Sequence, residues 1–325
     1  GSEEDGSFTS PSVGLTGVSN GAAVAWGDYD NDEELELVIA GGLTTTIYQW
    51  ESDGSDTFQS FTSGLVGVDL AAAAWGDFEN DGDLDLLVSG QNSSGNPSTT
   101  LYRNDGNDTF TAVSAGLPDL QNGSVAWGDY NGDGLQDVVM SGVDDGGSSV
   151  TQIYRNQGDS TFTPVGAGLT GVNAGAVRWV DYDTDSDLDL LVTGADGSAN
   201  PQTILYRNDG GGTFAAVGTN LADLSGSDAD WGDYDGDGDP DLMLTGETAT
   251  DTTALLYRND GMGDFAVVDT TLTGVTNGSV DWADQNGDGV LDFAITGTDE
   301  SNTASAHIYE STSAPPPPPS NVVAT

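Results

Sequence analysis

Cysteine and lysine are absent from this chain, and histidine occurs once. Without cysteine there is no disulfide framework, so a chain exported to an oxidising compartment needs some other staple, and metal is the obvious one. Five arginines stand against 54 acidic residues, a formal charge of −49. Polyanionic nucleic acid and anionic membrane surfaces are therefore repelled. No apolar run approaches the roughly 18 residues of a spanning helix, so membrane insertion is not expected. No nucleophile elbow, phosphate loop or zinc motif appears, and the scarcity of lysine and histidine leaves few general bases. The expectation is a protein that is not an enzyme.

What is present is aromatic and periodic. Seven Trp, ten Tyr and nine Phe fall at regular intervals, which solvated acidic tails do not show, so disorder accounts poorly for the charge. Adaptation to high salt also enriches acidic, lysine-poor surfaces and is compatible with any function. Trp26, Trp75, Trp127, Trp179, Trp231 and Trp282 recur every 49 to 52 residues, a period typical of propeller blades. Each unit reads as an apolar strand ending in Trp, an acidic loop, a second apolar strand, a variable polar loop, a strand such as LYRN, a tight turn and a strand opening near Phe. The second strand, for example Leu84 to Val88 or Leu188 to Val192, is nearly continuous in apolar residues and should be buried on both faces. The NDG triplets at Asn104 to Gly106, Asn208 to Gly210 and Asn259 to Gly261 supply residues that tolerate positive φ in a hairpin. The expected fold is all-β, a six-bladed β-propeller of four-stranded blades.

The termini suggest how the ring closes. Asp5-Gly6-Ser7-Phe8 matches the start of a fourth strand with no first three before it, while blade six stops after Ile308-Tyr309, its third. The segment from about Ser7 to Ser12 should complete blade six and remove free sheet edges. On this reading residues 1–6 are a cloning remnant and the start of the N-terminal segment, and residues 7–312 are a propeller expected to be monomeric. Residues 313–325 are a stiff proline-rich linker toward a further domain.

The acidic loops run Asp28 to Glu36, Asp77 to Asp85, Asp129 to Asp137, Asp181 to Asp189, Asp233 to Asp241 and Asp284 to Asp292, and all fit one nine-position frame. Side-chain oxygens stand at positions one, three, five and nine. These are Asp28, Asp30, Asp32 and Glu36; Asp77, Glu79, Asp81 and Asp85; Asp129, Asn131, Asp133 and Asp137; Asp181, Asp183, Asp185 and Asp189; Asp233, Asp235, Asp237 and Asp241; and Asp284, Asn286, Asp288 and Asp292. A hard cation with six or seven oxygen ligands needs such convergence, and calcium suits it better than magnesium, which holds a smaller octahedral shell, or than soft metals, which call for His or Cys. About six structural Ca²⁺ sites are expected. An EF-hand would place a bidentate Glu at position twelve, whereas here that position falls on apolar Val88, Met140 and Leu244. A merely solvated acidic turn would leave carboxylates crowded in six registered copies without a counterion. Loop one departs most, with Glu33 where the others have Gly or Ser at position six. Loops three and six each have one carboxylate fewer and should bind more weakly.

The stretch AWGDYNGDGLQDVVMSG followed by IYRNQGDSTF resembles the FG-GAP or VCBS repeat of integrin α-subunit propellers and bacterial surface proteins. The resemblance covers nearly the whole chain up to the proline run. It implies a calcium site between the first two strands of a blade, on one rim, with ligand surfaces on loops of the opposite rim. Integrin propellers have seven blades, so their ligand geometry is not carried over to six. Some mushroom lectins share the repeat type, which favours a sugar without fixing which.

Other candidates carry less. Arg103, Arg155, Arg207 and Arg258 recur at one position of the third strand and read as structural ion pairs or packing, with an anion clamp as the alternative. Arg178 breaks the blade pattern and is a weak site candidate. His307 reads as a strand-face residue, and the tryptophans read as core before sugar-stacking platform. Nearly every clustered acid already has a ligand role, which leaves little for glycoside hydrolysis. The loops between second and third strands vary most: Gln91 to Ser98, Val143 to Ser149, Ala195 to Gln202, Glu247 to Thr253 and Thr298 to Ser305. Variable loops on a rigid ring are where specificity usually resides. The expected function is an extracellular or cell-surface recognition module for a glycan or a cell-surface protein. The alternatives are a spacer or display domain, or a propeller-type polysaccharide-degrading enzyme.

Overall fold

The computed structural model describes residues 14–18, 21–50, 57–61, 64–269 and 271–311. Those residues form six antiparallel sheets and no helix. Blade one consists of Ala23–Gly27, Glu36–Gly41, Thr44–Trp50 and Phe58–Phe61. Blade two consists of Asp69–Gly76, Asp85–Gln91, Pro97–Asn104 and Phe110–Val113. Blade three follows with Val125–Gly128, Asp137–Val143, Ser149–Asn156 and Phe162–Pro164. In blade four the first strand is split into Val172–Asn173 and Val177–Val180, before Asp189–Asp196, Pro201–Asn208 and Phe214–Val217. Blade five is Ser225–Gly232, Asp241–Glu247, Thr252–Asn259 and Phe265–Asp269. Blade six shows three strands, Thr276–Ala283, Asp292–Thr298 and Ala304–Tyr309. Its expected fourth strand, Ser7 to Ser12, lies outside the described residues, as do residues 1–6 and 313–325.

The sheets form a six-bladed β-propeller. First strands line the axis, where a cavity of about 530 Å³ takes lining from all six blades, Ala23, Ala72, Val125, Arg178, Asp228 and Ser279 among them. The second strands are sandwiched between neighbouring blades, and six successive residues from Asp85, Asp137, Asp189 and Asp241 onward are buried. Double burial explains why these segments read as continuous apolar runs.

Blade-to-blade packing rests on the Trp-Gly pair that ends the first strand. A Cβ on Gly27 would come within 2.7 Å of Trp75, one on Gly76 within 2.6 Å of Trp127, and one on Gly128 within 2.7 Å of Trp179. Each of these three tryptophan rings thus lies on the preceding blade's glycine, where only a residue without a side chain permits that approach; blade four ends its first strand in Val180 instead. The rings also stack on the preceding acidic loop, Trp75 on Tyr29 at 5.8 Å and Trp179 on Tyr130 at 6.2 Å, both at 9° between planes. The tryptophans of blades two to six are partly buried between blades, as the core reading expects; Trp26 is 53% exposed.

Candidate metal centres and the opposite rim

All six acidic loops join the first and second strands of a blade and so sit on one rim. The position-one carboxylate organises each loop. Asp28 Oδ1 accepts the Asp32 N–H at 3.0 Å and its Oδ2 the Glu33 N–H at 3.1 Å. The same pair of bonds recurs from Asp77, Asp129, Asp181, Asp233 and Asp284. Positions four and six turn through positive φ in every loop, with Asn31 at 61° and Glu33 at 71° in loop one and Thr184 at 57° and Ser186 at 75° in loop four. Glycine at these positions in other loops removes that strain.

Position nine opens the second strand, and Glu36, Asp85, Asp137, Asp189, Asp241 and Asp292 are all at most 1% exposed. One carboxylate oxygen is held by the backbone: Asp85 Oδ1 accepts the Asn104 N–H at 2.8 Å and Asp241 Oδ1 the Asn259 N–H at 2.8 Å. The second oxygen is less well served, and Glu36 Oε1, Asp189 Oδ2 and Asp292 Oδ2 are buried with no hydrogen-bond partner. Burial pushes the pKa up to about 7 for Glu36, Asp85, Asp189 and Asp241 and to about 6 for Asp137. Neighbouring loop carboxylates push the same way. A buried carboxylate needs a proton or a cation, and an all-oxygen donor set with an orphaned anionic oxygen fits a hard cation.

Carboxylates converge to within 4.8 Å of one another in three loops: Asp28, Asp30 and Asp32; Asp181, Asp183 and Asp189; and Asp233, Asp235 and Asp241. In loop two Glu79 leans toward Arg103 at 3.8 Å. In loop three Asn131 turns its amide nitrogen onto Asp137 Oδ2 at 2.8 Å, so its carbonyl oxygen must rotate inward to serve a cation. Asp32, Asp185 and Asp237 at position five accept the N–H of position seven, and Asp81, Asp133 and Asp288 do the same in loops two, three and six.

The asparagine of the NDG triplets does a different job from the one expected. Only the glycine takes positive φ, 71° at Gly106, 79° at Gly210 and 72° at Gly261. Asn104 ends the third strand buried, and its amide donates to Tyr29 O in the loop of the preceding blade at 2.7 Å and to Leu84 O of its own blade at 3.2 Å. Asn156, Asn208 and Asn259 repeat the pair of bonds. Acidic loops one to four are thereby each fastened to the next blade. The signal was available in the repetition of Asn after Tyr-Arg, including Asn156, which precedes Gln and not Asp.

Arg103 pairs with Asp105 at 2.7 Å, Arg155 with Asp133 at 2.9 Å and Arg207 with Asp209 at 2.7 Å, which bears out structural ion pairing for three of the four recurring arginines, Arg258 being the fourth. Arg178 lies at the axis, bound to Asp228 at 2.6 Å and to Ala229 O at 2.9 Å. Asp228 also accepts from Ser279 Oγ at 2.9 Å, so this side-chain network ties the first strands of blades four, five and six. His307 lies exposed on the third strand of blade six beside Ser305 Oγ at 2.9 Å.

The loops between second and third strands gather on the rim opposite the acidic loops. Between those of blades four and five opens a cleft of about 700 Å³ lined by Asn200, Glu247, Thr248, Thr250, Asp251 and, from blade six, Glu300. Its walls are mostly hydroxyl, amide and carboxylate groups, with Ala199, Pro201 and Ala249 also lining it.

The FG-GAP-like repeat pattern matches residues 28–88, 77–140, 129–192, 181–244 and 233–295. The chain belongs to the FG-GAP-like repeat family. Each match runs from one acidic loop into the second strand of the next blade, the unit that the asparagine and tryptophan contacts join. No curated protein matches this FG-GAP chain. Among solved structures it is similar to an Agrocybe aegerita lectin described for specific recognition of non-reducing terminal N-acetylglucosamine, at 17% identity over 90% of this chain and 80% of that one, TM-score 0.55. It is also similar to an Aleuria aurantia lectin mutant in complex with alpha-methyl-L-fucoside, at 10% identity over 90% and 91% of the two chains, TM-score 0.52. At these identities the likeness is one of fold. No helix among the described residues is long and apolar enough to cross a membrane.

Proposed function

We propose that this FG-GAP propeller is an extracellular recognition module that binds a neutral glycan on the rim opposite its acidic loops, and that calcium in those loops holds the ring. It is read as a binding protein and not as an enzyme. The observation that carries the glycan reading is the polar cleft between the loops of blades four and five. Hydroxyl, amide and carboxylate groups on short loops are the partners that sugar hydroxyls need, and a rigid scaffold limits the entropy lost on binding. The carboxylates Glu247, Asp251 and Glu300 would repel sialylated or sulfated chains, so an uncharged, hydroxyl-rich saccharide suits the cleft. Two propellers of the same fold are lectins. Calcium is supported by the all-oxygen frame and the orphaned carboxylate oxygens at position nine.

The test is a glycan array probed in millimolar calcium with the native chain and with a Glu247→Ala, Thr250→Ala double variant. The expected result is binding to neutral glycans that the variant loses while its melting temperature stays the same. Absence of binding to any glycan by the calcium-loaded chain would favour a spacer or display domain. Binding that survives in the variant would move the site away from this cleft.

A further inference from the structure

On the rim opposite the acidic loops, the hairpins that join second to third strands follow one design in four blades. Residues 92–96, 144–148, 196–200 and 299–303 each connect their strands with five residues, between the paired Gln91 and Pro97, Val143 and Ser149, Ala195 and Pro201, and Thr298 and Ala304. The first residue, Asn92, Asp144, Asp196 or Asp299, turns a side-chain oxygen onto N–H groups of its own loop. Asp196 Oδ1 accepts those of Ser198 at 2.8 Å and Asn200 at 2.9 Å, and Asp299 Oδ1 those of Ser301 at 2.8 Å and Thr303 at 3.0 Å. The fourth residue takes positive φ, 80° at Gly95, 77° at Gly147, 61° at Ala199 and 57° at Asn302. Such a turn fixes the loop and occupies the polar side chain that opens it.

Blade five departs from this design. Glu247 pairs with Thr252, which leaves four residues, Thr248 to Asp251, in a hairpin one residue shorter than those of blades four and six. None of the four takes positive φ, and Thr248 Oγ1 closes the turn by accepting the N–H of Thr250 at 3.2 Å and of Asp251 at 3.1 Å. A short hairpin between two longer ones leaves a notch. All four of its residues line the cleft of about 700 Å³, together with Asn200 of the blade-four hairpin and Glu300 of the blade-six hairpin. The acids here are not occupied as those of the longer turns are. Glu247 and Glu300 are exposed, and neither side chain bonds to another described residue. Blade one has a shorter turn still, Gly42-Leu43, but Leu43 N donates to Val68 O at 3.2 Å and to Asp69 Oδ1 at 2.9 Å. That tip lies against the connector to blade two and fills its own notch.

We propose that the shortened hairpin of blade five gives the ring a single saccharide site, one per propeller, and that it takes one uncharged sugar unit. This rests on the glycan reading above and adds the element that creates the site and its valency. Glu247 and Glu300 supply uncommitted acceptors, and a sugar hydroxyl donating to a carboxylate makes the stronger, charge-assisted kind of hydrogen bond. Ala199, Pro201 and Ala249 add small apolar surface for the C–H face of the ring. The other hairpins repeat a closed turn whose opening side chain is already bonded, so repetition of the blade does not repeat the site. A ring with one site gains no avidity by itself on a surface of repeated glycans.

The test is calorimetry in millimolar calcium with a panel of uncharged methyl hexosides as probes. The native chain is compared with two variants. One carries Thr248→Asp and a glycine inserted between Thr250 and Asp251, which restores the five-residue turn; the other carries Glu300→Gln. The expected result is binding of a methyl hexoside at one equivalent per chain, weakened about tenfold or more in each variant while the melting temperature holds. If the insertion lowers the melt, the exposed Glu300→Gln change and the stoichiometry decide. Two or more equivalents per chain, or affinities within about twofold of native in both variants, would overturn the inference and leave the glycan reading standing. Failure of every methyl hexoside to bind would overturn it as well, and the glycan array then decides the broader reading separately.

Discussion

At position nine of each acidic loop a carboxylate is buried before any cation is considered, and this residue sets the chemistry of the rim. Glu36, Asp85, Asp189 and Asp241 are pushed up to about 7 and Asp137 to about 6, above the ordinary carboxylate range of about 4. Without a cation the folded chain therefore binds more protons than the unfolded chain between about pH 4 and 7, so its stability falls as pH rises through the folded pKa values. The chelated protein is predicted to melt at a higher temperature at pH 5 than at pH 8. With calcium present, protons and cations compete for the same oxygens, so the stabilisation that calcium adds shrinks at pH 5. Thermal melts at the two pH values with chelator or calcium check both statements, and a chelated protein that is more stable at pH 8 contradicts the first. The acidic loops were legible in the sequence because side-chain oxygens at alternate positions repeat in register, and in loops one, four and five three carboxylates lie within 4.8 Å of one another. The asparagine clamp was not, since Asn-Asp-Gly also spells a turn, and only the contact of Asn104 with Tyr29 O across two blades distinguishes the roles.

The blade owes its packing to the close approach of a tryptophan and a glycine from neighbouring sheets. Gly76 has no positive φ to defend, so its need is steric alone: a Cβ there would lie 2.6 Å from Trp127 Cγ and 2.7 Å from Gln136 Oε1. Gly76→Ala is predicted to cost about 1 to 3 kcal/mol, the usual penalty for overpacking a tight core. Urea denaturation with an unchanged slope and a lower midpoint is the expected result, and a neutral midpoint would show that blades two and three can part freely. Strands were easily read where burial is two-sided, as in Asp137–Val143, because no polar alternation interrupts them. The first strand of blade four was not read as split, since its break depends on Ala174 at φ 49°, a backbone choice that an alanine does not announce.

Six blades of one design make a ring in which each sheet touches chiefly its neighbours, so blade number followed from counting tryptophans. The closing segment read from the termini, Ser7 to Ser12, lies outside the described residues, and the cleft between the loops of blades four and five depends on how two variable segments lean together, which is not written in the repeat. The ring also gathers much of its negative charge on one rim. The proposed ligands include 22 of the chain's 54 acids, and their mutual repulsion opposes folding until cations offset it. At free calcium about tenfold above a site's dissociation constant, binding adds about 1.4 kcal/mol per site, and six independent sites add about 8 kcal/mol. That is comparable to the net stability of a typical domain, about 5 to 15 kcal/mol. The measurement that tests this most directly is the melting temperature of the native chain at pH 7.5 in calcium, in excess chelator with metal content checked, and after adding magnesium back. Structural calcium predicts a large fall on chelation, recovery with calcium and little recovery with magnesium. An unchanged melt in verified metal-free protein would show that the acidic loops do not hold the ring together.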